Sequence, residues 1–203
     1  SNGKVFATGV SYMADTADIA TSRPAPSLKG AVIRETDFDV WAHLFFPGGV
    51  KNEWFLQAWG EATRRMDLGL SVDPSRDLDC AARAADCVDL FPLLQAVDGD
   101  DDFCQLRRAL AGRNRWEPDT YLSTEFRDDI AGNGYALFAS SPAAHLAGIR
   151  REKRPVQYWG GWMDGGTAEA ALARFRSAPE VPMEVWITAN NHPNTVFADP
   201  FFP

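Results

Sequence analysis

The sequence predicts an α/β protein, with a parallel β-sheet covered by helices and a helical insertion in its middle. Three observations carry this reading. Residues 4–33 run strand, tight turn, helix, strand, which is a βαβ unit and implies a parallel sheet. The same texture returns after Arg154, with strand patterns at 155–159 and 183–188 around a helical one at 167–177. Between them, over about 37–144, helical spacing prevails and no strong strand signal interrupts it.

The first strand, 4–10 (KVFATGV), is short, mostly apolar and β-leaning, and ends at Gly9-Val10-Ser11. A helix over 13–21 is stopped by Pro24 and Pro26. Residues 28–33 (LKGAVI) read as a second, buried strand. Then Phe38, Trp41, Phe45 and Phe46 lead into Pro47-Gly48-Gly49. Phe55, Trp59 and Ala62 repeat at helical spacing within 52–66. A second helical pattern, rich in Ala and Leu, covers 78–97. A third covers 101–112, with Asp100 as N-cap and Gly112 as C-terminal stop. After the strand PVQYW comes a glycine-rich turn, then a helix whose apolar stripe is Ala171, Leu172 and Phe175. Pro182 introduces the last strand, MEVWIT, which ends in Ala189-Asn190-Asn191-His192. The expected division is an α/β core of 1–36 and 145–203 and an inserted helical cap of 37–144.

Composition narrows the chemistry. Of 203 residues, 45% are hydrophobic and 24% charged, an ordinary globular balance. The formal charge of −8 repels phosphate backbones, so nucleic acid is not an expected partner. No transmembrane run or secretory leader is present, and no membrane partner is expected. The chain start reads as lying inside a domain, so localisation stays open, with the cytoplasm favoured. Cys80, Cys87 and Cys104 include no Cys-x-x-Cys pair, which argues against a zinc site or disulfide framework. The acidic run Asp98, Asp100, Asp101 and Asp102 lacks the glycine offset and closing glutamate of a calcium loop. No metal and no organic cofactor is indicated.

Ser11 stands where a strand turns sharply into a helix. That turn lifts a hydroxyl clear of the sheet and places it at a helix N-terminus, where dipole and open N–H groups favour an oxyanion. Alone, Gly-x-Ser is a weak signal, because a serine between strand and helix is as often an N-cap. The order of the remaining residues strengthens it. Asp164 follows the third strand in a Gly-flanked turn and His192 follows the fourth. Ser, acid, His is the chain order of an α/β-hydrolase triad, and all three lie at C-terminal strand ends, where such sheets place active sites. The candidate roles are Ser11 as nucleophile, His192 as base, Asp164 as the acid that orients it, and the Tyr12 amide as oxyanion donor. His43 and His145 do not follow predicted strands and read as structural or surface residues. Trp162, Phe45 and Trp54 are candidate pocket residues, although most cap aromatics read as core.

These residues resemble the CocE/NonD hydrolases. The lead Ser1-Asn2-Gly3-Lys4-Val5 and the elbow Gly9-Val10-Ser11-Tyr12 resemble the family's nucleophile region. Phe46-Pro47-Gly48-Gly49-Val50 looks like the start of its cap. Gly160-Gly161-Trp162-Met163-Asp164-Gly165-Gly166-Thr167-Ala168-Glu169 is the most specific match, around the family's acid. The resemblance implies the same triad, an acyl-enzyme mechanism and small ester or amide substrates. Members include cocaine esterase, X-prolyl dipeptidyl-peptidases, α-amino-acid ester hydrolases and glutaryl acylases. Two departures stand out: Ala14 where glycine is common, and Thr188-Ala189-Asn190-Asn191-His192 where the family usually has Gly-Pro-Trp-Ser-His. The resemblance also implies a partial catalytic domain, the C-terminal half of the sheet. Its natural neighbours would be an N-terminal hydrolase segment with a second oxyanion donor, a C-terminal β-sandwich, or a partner chain, including another copy. Two functions follow: a serine esterase or amidase, or a hydrolase-like segment with impaired catalysis that serves in binding or assembly.

Overall fold

A computed structural model describes residues 2–67, 99, 104–112, 119–132 and 134–192. The chain divides into two compact units, Ser1–Asn52 with Thr124–Pro203, and Glu53–Ser123. Of the expected 37–144 insertion, it is Glu53–Ser123 that forms the separate unit.

The first unit is built on a four-stranded sheet in the order β1-β2-β3-β4, with every pairing parallel. Its strands are β1 (Val5–Val10), β2 (Leu28–Arg34), β3 (Val156–Gly161) and β4 (Met183–Thr188). Helix α1 (Tyr12–Thr21) connects β1 to β2. The parallel, doubly connected pattern is the α/β arrangement the sequence predicts. The 28–33 pattern becomes a strand one residue longer. Leu28, Gly30, Ala31 and Ile33 are buried there, because a parallel strand has neighbours on both edges and helices over a face.

Ala14 and Ala17 of α1 pack with Ala31, Ile33, Val156, Tyr158 and Ala171 in one core cluster. Ala171 belongs to the helix between β3 and β4, Thr167–Ser177. Ala14, where the family often has glycine, is fully buried in this contact. The apolar stripe expected on 167–177 is different in the structure. Ala168, Ala170, Ala171 and Arg174 are buried, Leu172 is half-buried, and Phe175 is 48% exposed. Small residues let the helix lie close to the sheet. Arg174 is tolerated inside because it meets the equally buried Asp18 of α1, donating from Nε to Oδ2 at 3.2 Å and from Nη2 to Oδ1 at 3.3 Å.

Among the described residues β1 pairs only with β2 and forms an edge, where Val5 and Phe6 are exposed. After β2 the chain makes a π-helical turn, Trp41–Phe45, closed by the Phe46 N–H on the Trp41 carbonyl at 2.7 Å. Trp41 stacks on Phe46.

In the second unit, α2 (Glu53–Asp67) realises the 52–66 pattern, with Leu56 fully buried and Phe55 stacked on Trp59. The Glu61–Arg64 pair adds an i,i+3 contact on its surface. Helices α3 (Cys104–Ala111) and α4 (Asp119–Leu122) follow. Within the 101–112 pattern, Cys104–Ala111 is helical and Cys104 is exposed. The 78–97 pattern, the Asp100 cap, Cys80, Cys87 and the acidic residues of the 98–102 run lie outside the described residues. Back in the first unit, α5 (Leu146–Glu152) precedes β3, and Thr167–Ser177 is α6.

Candidate active site

The C-terminal ends of the strands carry the chemistry. β1 runs into Ser11, whose backbone sits at φ 59°, ψ −141°. A non-glycine residue with positive φ is strained by about 1–3 kcal/mol and persists only where neighbours fix it. Here the Ser11 N–H donates to the Arg34 carbonyl of β2 at 3.1 Å. Its own carbonyl accepts from Ala14 N–H at 2.7 Å and Asp15 N–H at 3.3 Å. Gly9 makes the turn sterically feasible. A β-carbon there would collide with the Met13 backbone carbonyl carbon and stand 2.5 Å from Ala14 N. Because α1 begins at Tyr12, the Tyr12 amide stands at the very start of the helix, where the i to i−4 ladder supplies it no acceptor.

Asp164 lies in the turn between β3 and α6 and is 8% exposed. The Thr167 hydroxyl lies 3.2 Å from its Oδ2, and the Thr167 amide donates to its carbonyl at 2.9 Å. The same hydroxyl accepts from Gly161 N–H at 3.0 Å, so the end of β3 and the start of α6 close on this aspartate. His192, just past β4, places Nδ1 3.0 Å from Asp164 Oδ2. That hydrogen bond raises the imidazole pKa above its ordinary value, against the lowering effect of burial, and the charges of Asp164 and Glu35 add to the rise. The structure therefore brings Asp164 and His192 together. No hydrogen bond joins the Ser11 hydroxyl to His192 among the described residues.

Two residues at this end of the sheet were not singled out from the sequence. Glu35 follows β2 directly, at φ 49°, and is 1% exposed. Its N–H donates to the Trp159 carbonyl at 2.9 Å, and its Oε1 accepts from Asn190 Nδ2 at 2.6 Å. Its Oε2 is buried without a hydrogen-bond partner among the described residues. Burial raises the Glu35 pKa; the Asn190 hydrogen bond opposes this and the Asp164 charge reinforces it. Asn190, two residues before His192, is equally buried and also bonds the Thr188 hydroxyl. Polar atoms of Glu35, Asp164 and His192 all lie within 4.8 Å of one another. They form two hydrogen-bonded pairs set side by side, Asp164 with His192 and Glu35 with Asn190. The rule that pointed to Asp164 and His192, a polar residue just beyond a strand's C-terminal end, would have found Glu35 as well.

Other carboxyls stand nearby. Asp15, on the first turn of α1 and bonded to the Thr36 hydroxyl, is pushed up to about 7, mainly by burial. Burial also raises Asp37 well above the usual carboxylate range. His43 is half-buried, and its Nδ1 accepts from Asp39 N–H at 3.1 Å; burial lowers its pKa. His145 is half-buried at the start of α5. Of the pocket candidates, Trp162 is 64% exposed beside Asp164, Phe45 is buried, and Trp54 is exposed on the second unit.

A family profile described as X-Pro dipeptidyl-peptidase (S15 family) matches residues 1–194. Among curated proteins, the chain is 26% identical over 226 aligned positions to "Putative serine esterase Mb1866c" of Mycobacterium bovis. It is equally similar to "Putative serine esterase MT1883" of Mycobacterium tuberculosis. Each alignment covers 98% of this chain and 34% of the relative, so the chain spans about a third of the length of the curated relatives it matches.

Proposed function

Since the chain belongs to the X-Pro dipeptidyl-peptidase (S15) family, we propose that it is the part of a serine hydrolase that carries Ser11, Asp164 and His192 as its triad. The bond cleaved is an ester or an amide, in a small-molecule or peptide substrate. The observation that carries this reading is the Asp164–His192 hydrogen bond at the sheet end where strained Ser11 caps α1.

The chemistry follows from which atoms are engaged. His192 Nδ1 is held by Asp164, so Nε2 is the nitrogen left to accept a proton. As the Ser11 hydroxyl oxygen bonds to the substrate carbonyl carbon, its proton passes to Nε2. Asp164 stabilises the imidazolium that forms and keeps its own charge. The carbonyl oxygen gains the negative charge, and the Tyr12 amide at the N-terminus of α1 donates to it. Collapse breaks the bond to the leaving alcohol or amine, which takes the proton from Nε2. Water then enters by the same steps, releasing the acid and freeing Ser11.

The fold reading that goes with this is an α/β-hydrolase whose second unit, Glu53–Ser123, serves as a helical cap. The exposed β1 edge suits a further strand, from an N-terminal hydrolase segment or a partner chain, which would also bring the second oxyanion donor. Trp162, exposed next to the acid, is the pocket residue favoured for substrate contact. A second reading, impaired catalysis with a role in binding, draws support from the histidine loop, Thr188-Ala189-Asn190-Asn191-His192, which departs from the family pattern. A fluorophosphonate separates the two. Covalent labelling of the intact protein at Ser11, abolished in Ser11→Ala, is the expected result. A folded, intact protein that stays unlabelled would refute the hydrolase and leave the binding role.

A further inference from the structure

The histidine loop departs from the family pattern, and the structure shows what holds it. Asn190 is buried, and the carbonyl of the same residue lies against Gly161, where a β-carbon would collide with it. Its side-chain amide reaches across β3 to Glu35 at the end of β2. Glu35 is anchored in turn by its own N–H on Trp159. The carboxylate thus has one oxygen tied to the loop and the other buried without a hydrogen-bond partner among the described residues, and one of its oxygens lies within 4.8 Å of Asp164 and His192.

We propose that Glu35 is a positioning residue for His192: its Oε1 fixes the histidine loop through Asn190, and its carboxylate lends a second negative charge to the Asp164–His192 pair. A buried carboxylate oxygen without a hydrogen bond is costly unless a nearby cation compensates it. An imidazolium forms in this site each time a proton leaves Ser11. Glu35 therefore stabilises the charged intermediate, and Asp164 sets the ring's orientation. The charged and titratable groups facing Glu35 are Arg34 on its own strand end, Asp164 from the β3–α6 turn and His192 from beyond β4. Those facing His192 are Asp164 and Glu35. The rise in the imidazole pKa comes first from the Asp164 hydrogen bond, and the Glu35 charge adds to it, in line with this role.

The rate effect rests on the serine-hydrolase reading; the effect on the ring does not. Two variants of the intact protein separate the contributions. Glu35→Gln keeps an oxygen for Asn190 and removes the charge. Glu35→Ala removes both. NMR titration of the His192 ring, assigned by its loss in His192→Gln, should give a lower midpoint in Glu35→Gln than in wild type. The acid limb of kcat/KM should move down with it. In Glu35→Ala, kcat should fall by as much as about 100-fold with little change in KM, since small misplacements of a catalytic group cost that much. Glu35→Gln should recover most of that loss on the high-pH plateau. A residue that only filled space would leave the titration midpoint unmoved. An unshifted midpoint in folded Glu35→Gln overturns the proposal, as does wild-type kcat in Glu35→Ala. If wild type resists fluorophosphonate, the hydrolase reading has failed and the ring titration alone decides the role of Glu35.

Discussion

Removing Asp18 should destabilise the first unit more than any surface change. Asp18 and Arg174 are both 0% exposed and face each other from α1 and α6. The guanidinium donates to the carboxylate through Nε and Nη2, while Nη1 has no hydrogen-bond partner among the described residues. In Asp18→Ala the cation keeps its burial and loses both acceptors, with no solvent within reach to replace them. Breaking a buried pair from one side costs about 3–5 kcal/mol. Against a total of about 5–15 kcal/mol that is a large share. At roughly 2–4 °C per kcal/mol for a chain of this size, the melting midpoint should fall by roughly 6–20 °C. Circular dichroism of the intact protein, melted beside wild type, measures it. The double variant Asp18→Leu, Arg174→Met should recover most of the loss, because it removes both charges and keeps volume. The pair also joins the helix that Ser11 caps to the helix that follows Asp164. Fluorophosphonate labelling in Asp18→Ala should therefore fail at a lower temperature than in wild type. A loss below about 1 kcal/mol, or a double variant as weak as the single, would refute the reasoning.

Further outcomes follow from the geometry at the strand ends. Gly9→Ala should slow fluorophosphonate labelling of Ser11 by about 100-fold, because a β-carbon at the elbow collides with the start of α1 and must displace the hydroxyl; labelling at the wild-type rate would show that the turn can yield. The acid limb of kcat/KM should lie above the ordinary histidine value, since the Asp164 hydrogen bond raises His192 and only the neutral ring accepts a proton. In Asp164→Asn the limb should move down and kcat should fall by up to about 10⁴-fold, as seen when a triad acid is neutralised. The sign for stability is the reverse of that for activity. The His192–Asp164 contribution is full at pH values below the unfolded histidine pKa and is lost as pH rises through the raised folded value.

Much of the fold was legible because its signals are local. The strand over MEVWIT and the helix over 167–177 occur with the bounds the pattern gives, and β1, β2, β3 and α1 differ by only a residue or two at their ends. Gly9-Val10-Ser11 announced the turn because a strained elbow needs glycine behind it. The stripe on α6 was misread for a physical reason: Phe175 looks like core by hydropathy, but close packing on a sheet favours alanine. Arg174 looks like surface until its partner is known. Phe45 was a pocket candidate from the sequence and lies buried.

The sequence by itself determined the order of strands and helices and the chain order of Ser11, Asp164 and His192. Each of these is set by residues close together in the chain: periodicity, a turn glycine, a polar residue past a strand end. Only the tertiary structure decided which charged groups became buried partners. Asn190 meets Glu35 across 155 residues of sequence and Arg174 meets Asp18 across 156. Those contacts exist because parallel pairing sets the ends of β2, β3 and β4 side by side and because α1 lies next to α6. No local pattern encodes such a meeting, since each partner alone reads as an ordinary solvated charge or amide.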